Sequence, residues 1–503
     1  MKINKLAAAC AIAFAGAAAP AFALTAFEAP ELTVYLSGAS APDNFLEQIA
    51  TGMFTGTKGT DWFAYVDNGD GKQQRAFFGT MKTNAVDSTI PAGLSGKKVL
   101  FIKRSTGGSV FGVNPVARGE ALAVLKIAAA DCSNVSVPTG FNYKCSVVGV
   151  DPGVGIPTGA EMVPDFGVSD VSPAMFKEPF NVEFGASQLS PGEVAGMTIK
   201  GVNTIAMGLA VTNAIPASTY ISRATYGALL SGNISDWTQV DPSLAPAAGT
   251  QVLVCRRVPG SGTQTSYNWF FNNFPCATGS IAGTGNTEPA RMANSAGYGD
   301  DDGDGFPDVG AGTSANPYVI DPTAGYTVLE NSSSGNVADC MTKAAAGGVH
   351  DFKDEQGKSY RVNFGTGGYG AVAVLSVDSL GKSSNAANGW SYRALDGAGS
   401  YYDSDAGTAV VPASTGDGVH PSKANLIDGK YEFASEITMQ YRNSLTGVKK
   451  TFADFFITRA GSPTFNTNPW VAALPPTYNP TTTANVAKGT RFGNMCAPLQ
   501  RLF

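Results

Sequence analysis

Gln251-Val252-Leu253-Val254-Cys255-Arg256-Arg257 runs directly into Val258-Pro259-Gly260-Ser261-Gly262-Thr263, and Tyr267, Phe270 and Phe271 follow. The first seven residues are rich in strand formers, the next six make a tight turn with hydroxyl residues suited to an N-cap, and the aromatic spacing that follows is helical. Strand, turn and helix thus come in immediate succession. The order recurs at Leu32-Thr33-Val34-Tyr35-Leu36, Ser37-Gly38-Ala39-Ser40 and Pro42-Asp43, ahead of Phe45, Leu46 and Ile49. Pro42 falls where the first helical turn tolerates proline. A third strand, Val99-Leu100-Phe101-Ile102-Lys103, runs into Arg104-Ser105-Thr106-Gly107-Gly108-Ser109. Strands alternating with helices predict an α/β class.

Each such junction presents unpaired N–H groups and the positive end of a helix dipole, which suits an anion. Among these hydroxyl-rich turns lies one acidic run, Pro164-Asp165-Phe166-Gly167-Val168-Ser169-Asp170. A carboxylate repels an anion unless that anion brings a proton to donate. The set therefore points to a protonated oxyanion such as hydrogen phosphate, with Asp170 as proton acceptor, and a fully deprotonated sulfate would be disfavoured.

The chain has 503 residues and a formal net charge of −6. Lys2 and Lys5, an Ala/Ile/Phe stretch and Ala21-Phe22-Ala23 read as a secretory signal over residues 1–23, discarded with Cys10. Export places the mature protein in the periplasm or outside the cell. Its 480 residues exceed what one core usually organises, so two lobes are expected. An acidic chain is a poor nucleic-acid ligand, and no stretch after residue 23 is long and apolar enough to insert in a membrane. Six cysteines remain, with 15 possible pairings; proximity suggests Cys132 with Cys145, Cys255 with Cys276, and Cys340 with Cys496.

Glycine is abundant, at 60 residues, and the segments 132–163, 277–327 and 382–420 read as insertions. Within one of them Asp300-Asp301-Asp302-Gly303-Asp304-Gly305-Phe306-Pro307-Asp308 spaces carboxylates at alternate positions and resembles calcium-binding loops. Asp300, Asp302, Asp304 and Asp308 are the candidate ligands, although Ala311 stands where an EF-hand has its glutamate. The loop reads equally as a structural Ca²⁺ site or as a solvated acidic turn. No cofactor is expected for function.

Taken in order, these segments resemble the phosphate-binding proteins of ABC-type phosphate transporters, within the type II periplasmic binding protein superfamily. Ser37-Gly38-Ala39-Ser40-Ala41-Pro42 resembles the family's opening turn, Asp165-Phe166-Gly167-Val168-Ser169-Asp170 its Asp-Phe-Gly-Ala-Ser-Asp, and Arg257 to Thr263 its Arg-x-x-Gly-Ser-Gly-Thr. The run from Tyr226 to Trp237, Ser334-Gly335-Asn336-Val337 and Gly370-Ala371-Val372 resemble later segments. The resemblance implies that Ser105, Asp170, Arg257, Ser261, Gly262 and Thr263 hold the oxyanion, with Ser40 supplying a hydroxyl from the opening turn. Pro42 and Asp43 depart from the family's threonine and phenylalanine there, and Asp43 is expected to point away from the anion.

The expected architecture is a two-lobed type II periplasmic binding protein fold with a hinge and a central cleft. Lobe one takes residues 24–201 and returns over 431–503; lobe two takes 202–430, and the chain crosses near Asn203-Thr204-Ile205-Ala206. The expected protein is a monomeric carrier of phosphate or a similar oxyanion that serves an ABC-type permease, and it is not an enzyme. An extracellular scaffold or adhesion protein on the same fold is the alternative. A secreted hydrolase is disfavoured, because His350 and His420 are the only histidines and both lie in loop-rich sequence.

Overall fold

The computed structural model describes residues 24–502 except 41–42, 70–72, 136–139, 153–154, 184–185, 277–287, 355, 378–387, 403–410, 414–417, 464–470 and 476–484. The expected signal segment, residues 1–23, and Pro42 lie outside the described residues.

In chain order the elements that frame the cleft are β1 (Leu32–Gly38), α1 (Asp43–Met53), β2 (Trp62–Asp67), β3 (Gln74–Thr80), β4 (Lys98–Arg104), α2 (Asn114–Arg118) and β5 (Phe166–Ser169). Next come α3 (Pro191–Ala195), β6 (Met197–Thr212), α4 (Arg223–Ser231), β7 (Leu253–Arg257), α5 (Gly262–Asn272), β8 (Thr327–Asn331) and α6 (Ser334–Ala346). The chain closes with β9 (Ala371–Ser376), β10 (Trp390–Arg393), β11 (Ala434–Arg442), α7 (Gly447–Ala460) and β12 (Val471–Ala473).

In lobe one, β1 is parallel to both β4 and β5, so these three strands end on the same side. Antiparallel β3 and β2 extend the sheet beyond β4, and β11 pairs antiparallel with β5. In lobe two, β7 lies parallel between β8 and β9. The two halves share one strand. Residues Met197 to Ala206 of β6 pair with β11, and Met207 to Val211 pair with β9, so the chain crosses between lobes inside a continuous strand rather than in a loop.

The core follows from strand parity. On β4, Val99 and Phe101 turn to the face covered by α7, where Phe101 meets Phe456 at 4.8 Å between ring centroids and Phe166 meets Phe456 at 5.8 Å. Leu100 and Ile102 turn to the opposite face and pack with Tyr35 and Tyr65 in a second cluster. Trp62, Trp237, Trp269 and Trp390 are all buried in the larger cluster, as packing residues.

Two of the three disulfides correct the expectation from proximity. Cys132 does join Cys145, across adjacent strands whose register pairs those residues. Cys255, however, bonds Cys340, and Cys276 bonds Cys496. The reason is again parity: Cys255 faces α6, which packs over β7 and carries Cys340, while Cys276 lies beyond the end of α5. Nearness in sequence placed the partners wrongly because the sheet face, not the chain, decides which thiols meet.

The insertion 132–163 adds the short strands Cys132–Asn134, Tyr143–Cys145 and Val147–Val148. Residues 301–305 of the acidic loop are exposed and Asp300 is half-buried, and the carboxylates mostly accept the loop's own N–H groups: Asp300 from Gly303 and Gly305, Asp302 from Asp304, Asp304 from Phe306. Oxygens of Asp300, Asp302 and Asp304 lie within 4.8 Å of one another. Asp308 is not part of that group; it accepts the N–H of Asp301.

Candidate functional site

Ser40, Ser105 and Asp170 each lie just past the carboxyl end of one of the parallel strands β1, β4 and β5, and Arg257 ends β7. This is the crevice in which open α/β sheets bind ligands. The lobes meet closely there. Val110 N–H of lobe one donates to Gly260 C=O of lobe two at 3.1 Å, and Asn268 on α5 donates to the side chain of Asn181 at 2.7 Å.

Glycines allow part of this convergence. A Cβ on Gly38, whose φ is +125°, would stand 1.9 Å from the Val168 carbonyl oxygen, and one on Gly167 would stand 1.8 Å from that of Gly112. The glycines of the two quoted motifs therefore let β1, β5 and the turn after β4 close up on one another. Their task is close packing of backbone.

Asp170 is buried, and its Oδ2 accepts the Ser109 hydroxyl at 3.2 Å; the Ser109 oxygen in turn lies 3.2 Å from the Asp170 N–H. Gly262, at the first turn of α5 in the opposite lobe, lies against this pair: a Cβ there would meet Ser109 Oγ at 2.2 Å and Asp170 Cβ at 2.8 Å. Ser261 caps α5, accepting the Gln264 N–H at 3.4 Å, and Thr263 is buried beside it. Asp170, Ser261, Gly262 and Thr263 are thus brought together.

Arg257 is buried and reaches the same place. Its fork donates to Asn331 C=O at 3.2 Å, Ser332 C=O at 2.9 Å and Ser334 Oγ at 3.0 Å, and its Nη2 lies 3.5 Å from where a Gly108 Cβ would stand. Three of its five N–H donors are therefore used by the end of β8 and the start of α6. Burial lowers its pKa to about 10, while the Asp170 carboxylate opposes that shift. Arg256 points to the other face, 3.9 Å from Glu330, as strand alternation requires.

Ser105 lies in a different network from the one expected. Its hydroxyl accepts from Lys103 Nζ at 2.7 Å and donates to the Asp43 carboxylate at 2.9 Å. Asp43 is the shared acceptor of this network. It is 4% exposed, at the start of α1, and pairs with Lys103 at 3.3 Å and with Arg75 at 3.2 Å. Lys103, 1% exposed, also donates to the carbonyls of Gly38, Ala39 and Arg104. Burial lowers the Lys103 pKa to about 8 against the opposing pull of Asp43. Ser40 is half-buried at the head of this turn, its carbonyl accepting the Asp43 N–H at 3.1 Å.

Arg104 leaves the cleft altogether. It is fully buried on the other face of β4, bonded to Asp151 and lying over the Phe111 ring at 4.7 Å. Sequence reading thus missed Lys103, Arg75 and Ser109. The alternation of β4 was the available signal for Lys103, since it shares a face with Phe101 and Val99; Ser109 and Arg75 carried none.

The histidines stand apart from this chemistry. His350 is buried between Asp339, at 2.8 Å from Nδ1, and the side chain of Asn331, at 2.8 Å from Nε2, and so supports the residue whose carbonyl holds Arg257. His420 packs against Tyr401. No helix among the described residues is long and apolar enough to cross a membrane.

No protein-family model and no curated protein matches the sequence. Among solved structures the chain is similar to PstS from Borrelia burgdorferi, with 10% identity, a TM-score of 0.34, and coverage of 87% of this chain and 95% of that one. An ABC-type phosphate transport receptor from Vibrio cholerae matches with 11% identity and a TM-score of 0.34, over 84% of this chain and 93% of that one. A high-affinity periplasmic phosphate-binding protein, PfluDING, matches with 12% identity and a TM-score of 0.39, over 92% and 98%.

Proposed function

We propose that this chain is an exported solute-binding protein that captures phosphate, or a similar protonated oxyanion, between its two lobes and delivers it to an ABC-type permease without chemical change. The observation that carries the reading is Asp170: a buried carboxylate held by Ser109, facing Arg257 and the capped start of α5 from the opposite lobe. A carboxylate in that position accepts the proton of a protonated oxyanion and meets like charge from sulfate. The remaining N–H donors of Arg257, the first turn of α5 and the turn after β4 supply the charge-assisted bonds. Ligand bridging the lobes shifts the population toward the closed arrangement.

Calorimetry on protein stripped of bound anion, titrated with phosphate, arsenate and sulfate, tests this. Phosphate and arsenate are expected to bind and sulfate to be rejected. Asp170→Ala is expected to lose phosphate affinity and to relax the rejection of sulfate. Absence of phosphate binding by the stripped protein would leave the fold as an extracellular scaffold and end the transport reading.

A further inference from the structure

Asn331 holds Arg257 from two sides. Its main-chain carbonyl accepts Arg257 Nε at 3.2 Å, and its side-chain Nδ2 donates to the carbonyl of Arg256 at 3.3 Å and to that of Leu329 at 2.9 Å. Both protons of that amide are spent on carbonyls, which fixes its orientation: Oδ1 faces His350 Nε2 at 2.8 Å as an acceptor. Nε2 must therefore carry a proton. On the other side of the ring, Nδ1 lies 2.8 Å from Asp339 Oδ2. An ionised carboxylate also only accepts. A neutral imidazole has one proton for these two acceptors, so one contact would set a lone pair against an oxygen. The imidazolium has two protons and satisfies both.

The surroundings suit a held charge. His350 is fully buried on the strand Val349–Lys353 and stacks on Phe352 at 5.1 Å between ring centroids, so it depends on Asp339 for its counter-charge. The other charged groups of the elements packed here are engaged elsewhere or face away. Asp351, Lys353 and Arg361 lie on the opposite, exposed face, where Asp351 pairs with Arg361 at 2.7 Å. Glu330 pairs with Arg291, and Asp354 accepts the Tyr360 hydroxyl at 3.0 Å. Lys343 of α6 stands beside the turn into the strand, its Nζ 3.6 Å from where a Cβ on Gly348 would be.

We propose that His350, held as an imidazolium between Asp339 and Asn331, is a positioning residue that locks Arg257 in place through Asn331. The inference rests on reading Arg257 as a ligand of the anion, and it deepens that reading. Loss of one ring proton forces a choice between the two acceptors. The carboxylate, the stronger of them, keeps Nδ1–H, and Nε2 turns a lone pair toward Asn331 Oδ1. Turning the amide over relieves that contact but gives up the carbonyls of Arg256 and Leu329. The end of β7 is then loosened from β8 at the residue that aims the guanidinium, since Arg257 and Asn331 are register partners.

The test follows the ring nitrogens of His350 by nitrogen-15 NMR through a pH series, beside calorimetry with phosphate, on the full mature chain stripped of anion, for wild type and Asp339→Asn. The signals are assigned with His350→Gln. A side-chain amide at position 339 can donate to a neutral Nδ1 as well as accept from a protonated one, so Asp339→Asn removes the demand for the second proton. Asp339 is 49% exposed, and its replacement leaves the core packing in place. Phosphate and Lys103 ionise alike in both proteins, so the ratio of the two affinities isolates the pair. Wild type is expected to carry both ring protons where phosphate binds tightest. As the ring loses one, wild-type affinity is expected to fall roughly three- to tenfold relative to Asp339→Asn, the worth of one hydrogen bond. A wild-type ring with a single proton at the pH of tightest binding overturns the proposal, whether or not the variant folds. A ratio that stays constant while the ring loses its proton overturns it as well. Failure of wild type to bind phosphate at any pH would instead refute the reading of Arg257, and the ring signals would still decide the state of His350.

Discussion

Gly262 of one lobe lies against Asp170 of the other so closely that a single methyl group would stand 2.8 Å from the Asp170 Cβ and 2.2 Å from Ser109 Oγ. Alanine is the better helix former, so α5 itself would gain from Gly262→Ala. The clash is between lobes. The variant is expected to keep or raise the melting temperature of the stripped protein while losing roughly tenfold or more in phosphate affinity. Calorimetry and scattering together check this, and tight binding with full closure would count against the closed cleft as the binding form.

Arg257 holds three acceptors with a rigid planar fork. Lysine keeps the charge but cannot reproduce that geometry. Arg257→Lys is therefore expected to cost about 2–5 kcal/mol of anion binding, the range for disturbing a buried charged pair. Near-wild-type affinity would show that charge alone suffices.

Lys103 gives opposite pH trends for binding and stability. Its pKa, lowered by burial to about 8 from 10.5, means that its charge is present below about 8 and lost as pH rises. Anion affinity should weaken above that point. For stability the sign reverses: between about 8 and 10.5 the unfolded lysine holds a proton that the folded one has released, so stability from this group rises with pH. Lys103→Met should flatten the affinity profile in this window.

Glu193 in α3 is held at about 2, first by Arg118 and then by the Ser190 N–H and hydroxyl in a capping box. A depressed carboxyl contributes stability above its unfolded value near 4.5, and that contribution is lost as pH falls through about 2. The melting-temperature gap between wild type and Glu193→Gln should accordingly shrink on acidification. A gap that stays constant would exclude the linkage.

Non-reducing peptide mapping should recover Cys255 with Cys340 and Cys276 with Cys496. Replacing both Cys276 and Cys496 by serine is expected to cost about 2–4 kcal/mol of stability. Recovery of a Cys255–Cys276 peptide would contradict the packing of α6 on β7.

The strand-turn-helix junctions were legible because each is local: a run of strand formers and small turn residues, with a hydroxyl cap ahead of α5, lie within a dozen positions. Ser261 could be read as a cap for the same reason. Asp43 could not be placed, because its orientation depends on two cations that arrive from β3 and β4, 32 and 60 positions away. The pairing of Cys255 failed on the same count. Parity along β4 and β7 was readable: Lys103 shares its face with Val99 and Phe101, and Arg104 and Arg256 take the opposite faces from Lys103 and Arg257.

The crossing inside β6 has a mechanical meaning. A loop between lobes lets each half melt on its own schedule, but here the hydrogen-bond ladder of one half continues without interruption into the other. Fraying at Met207 removes the neighbour of Ala206, so disorder that starts in either lobe propagates along the shared strand. The molecule should behave as one cooperative unit on heating, and its opening should resemble the torsion of a ribbon at Ala206 and Met207, where the pairing passes from β11 to β9, more than the swing of two free bodies.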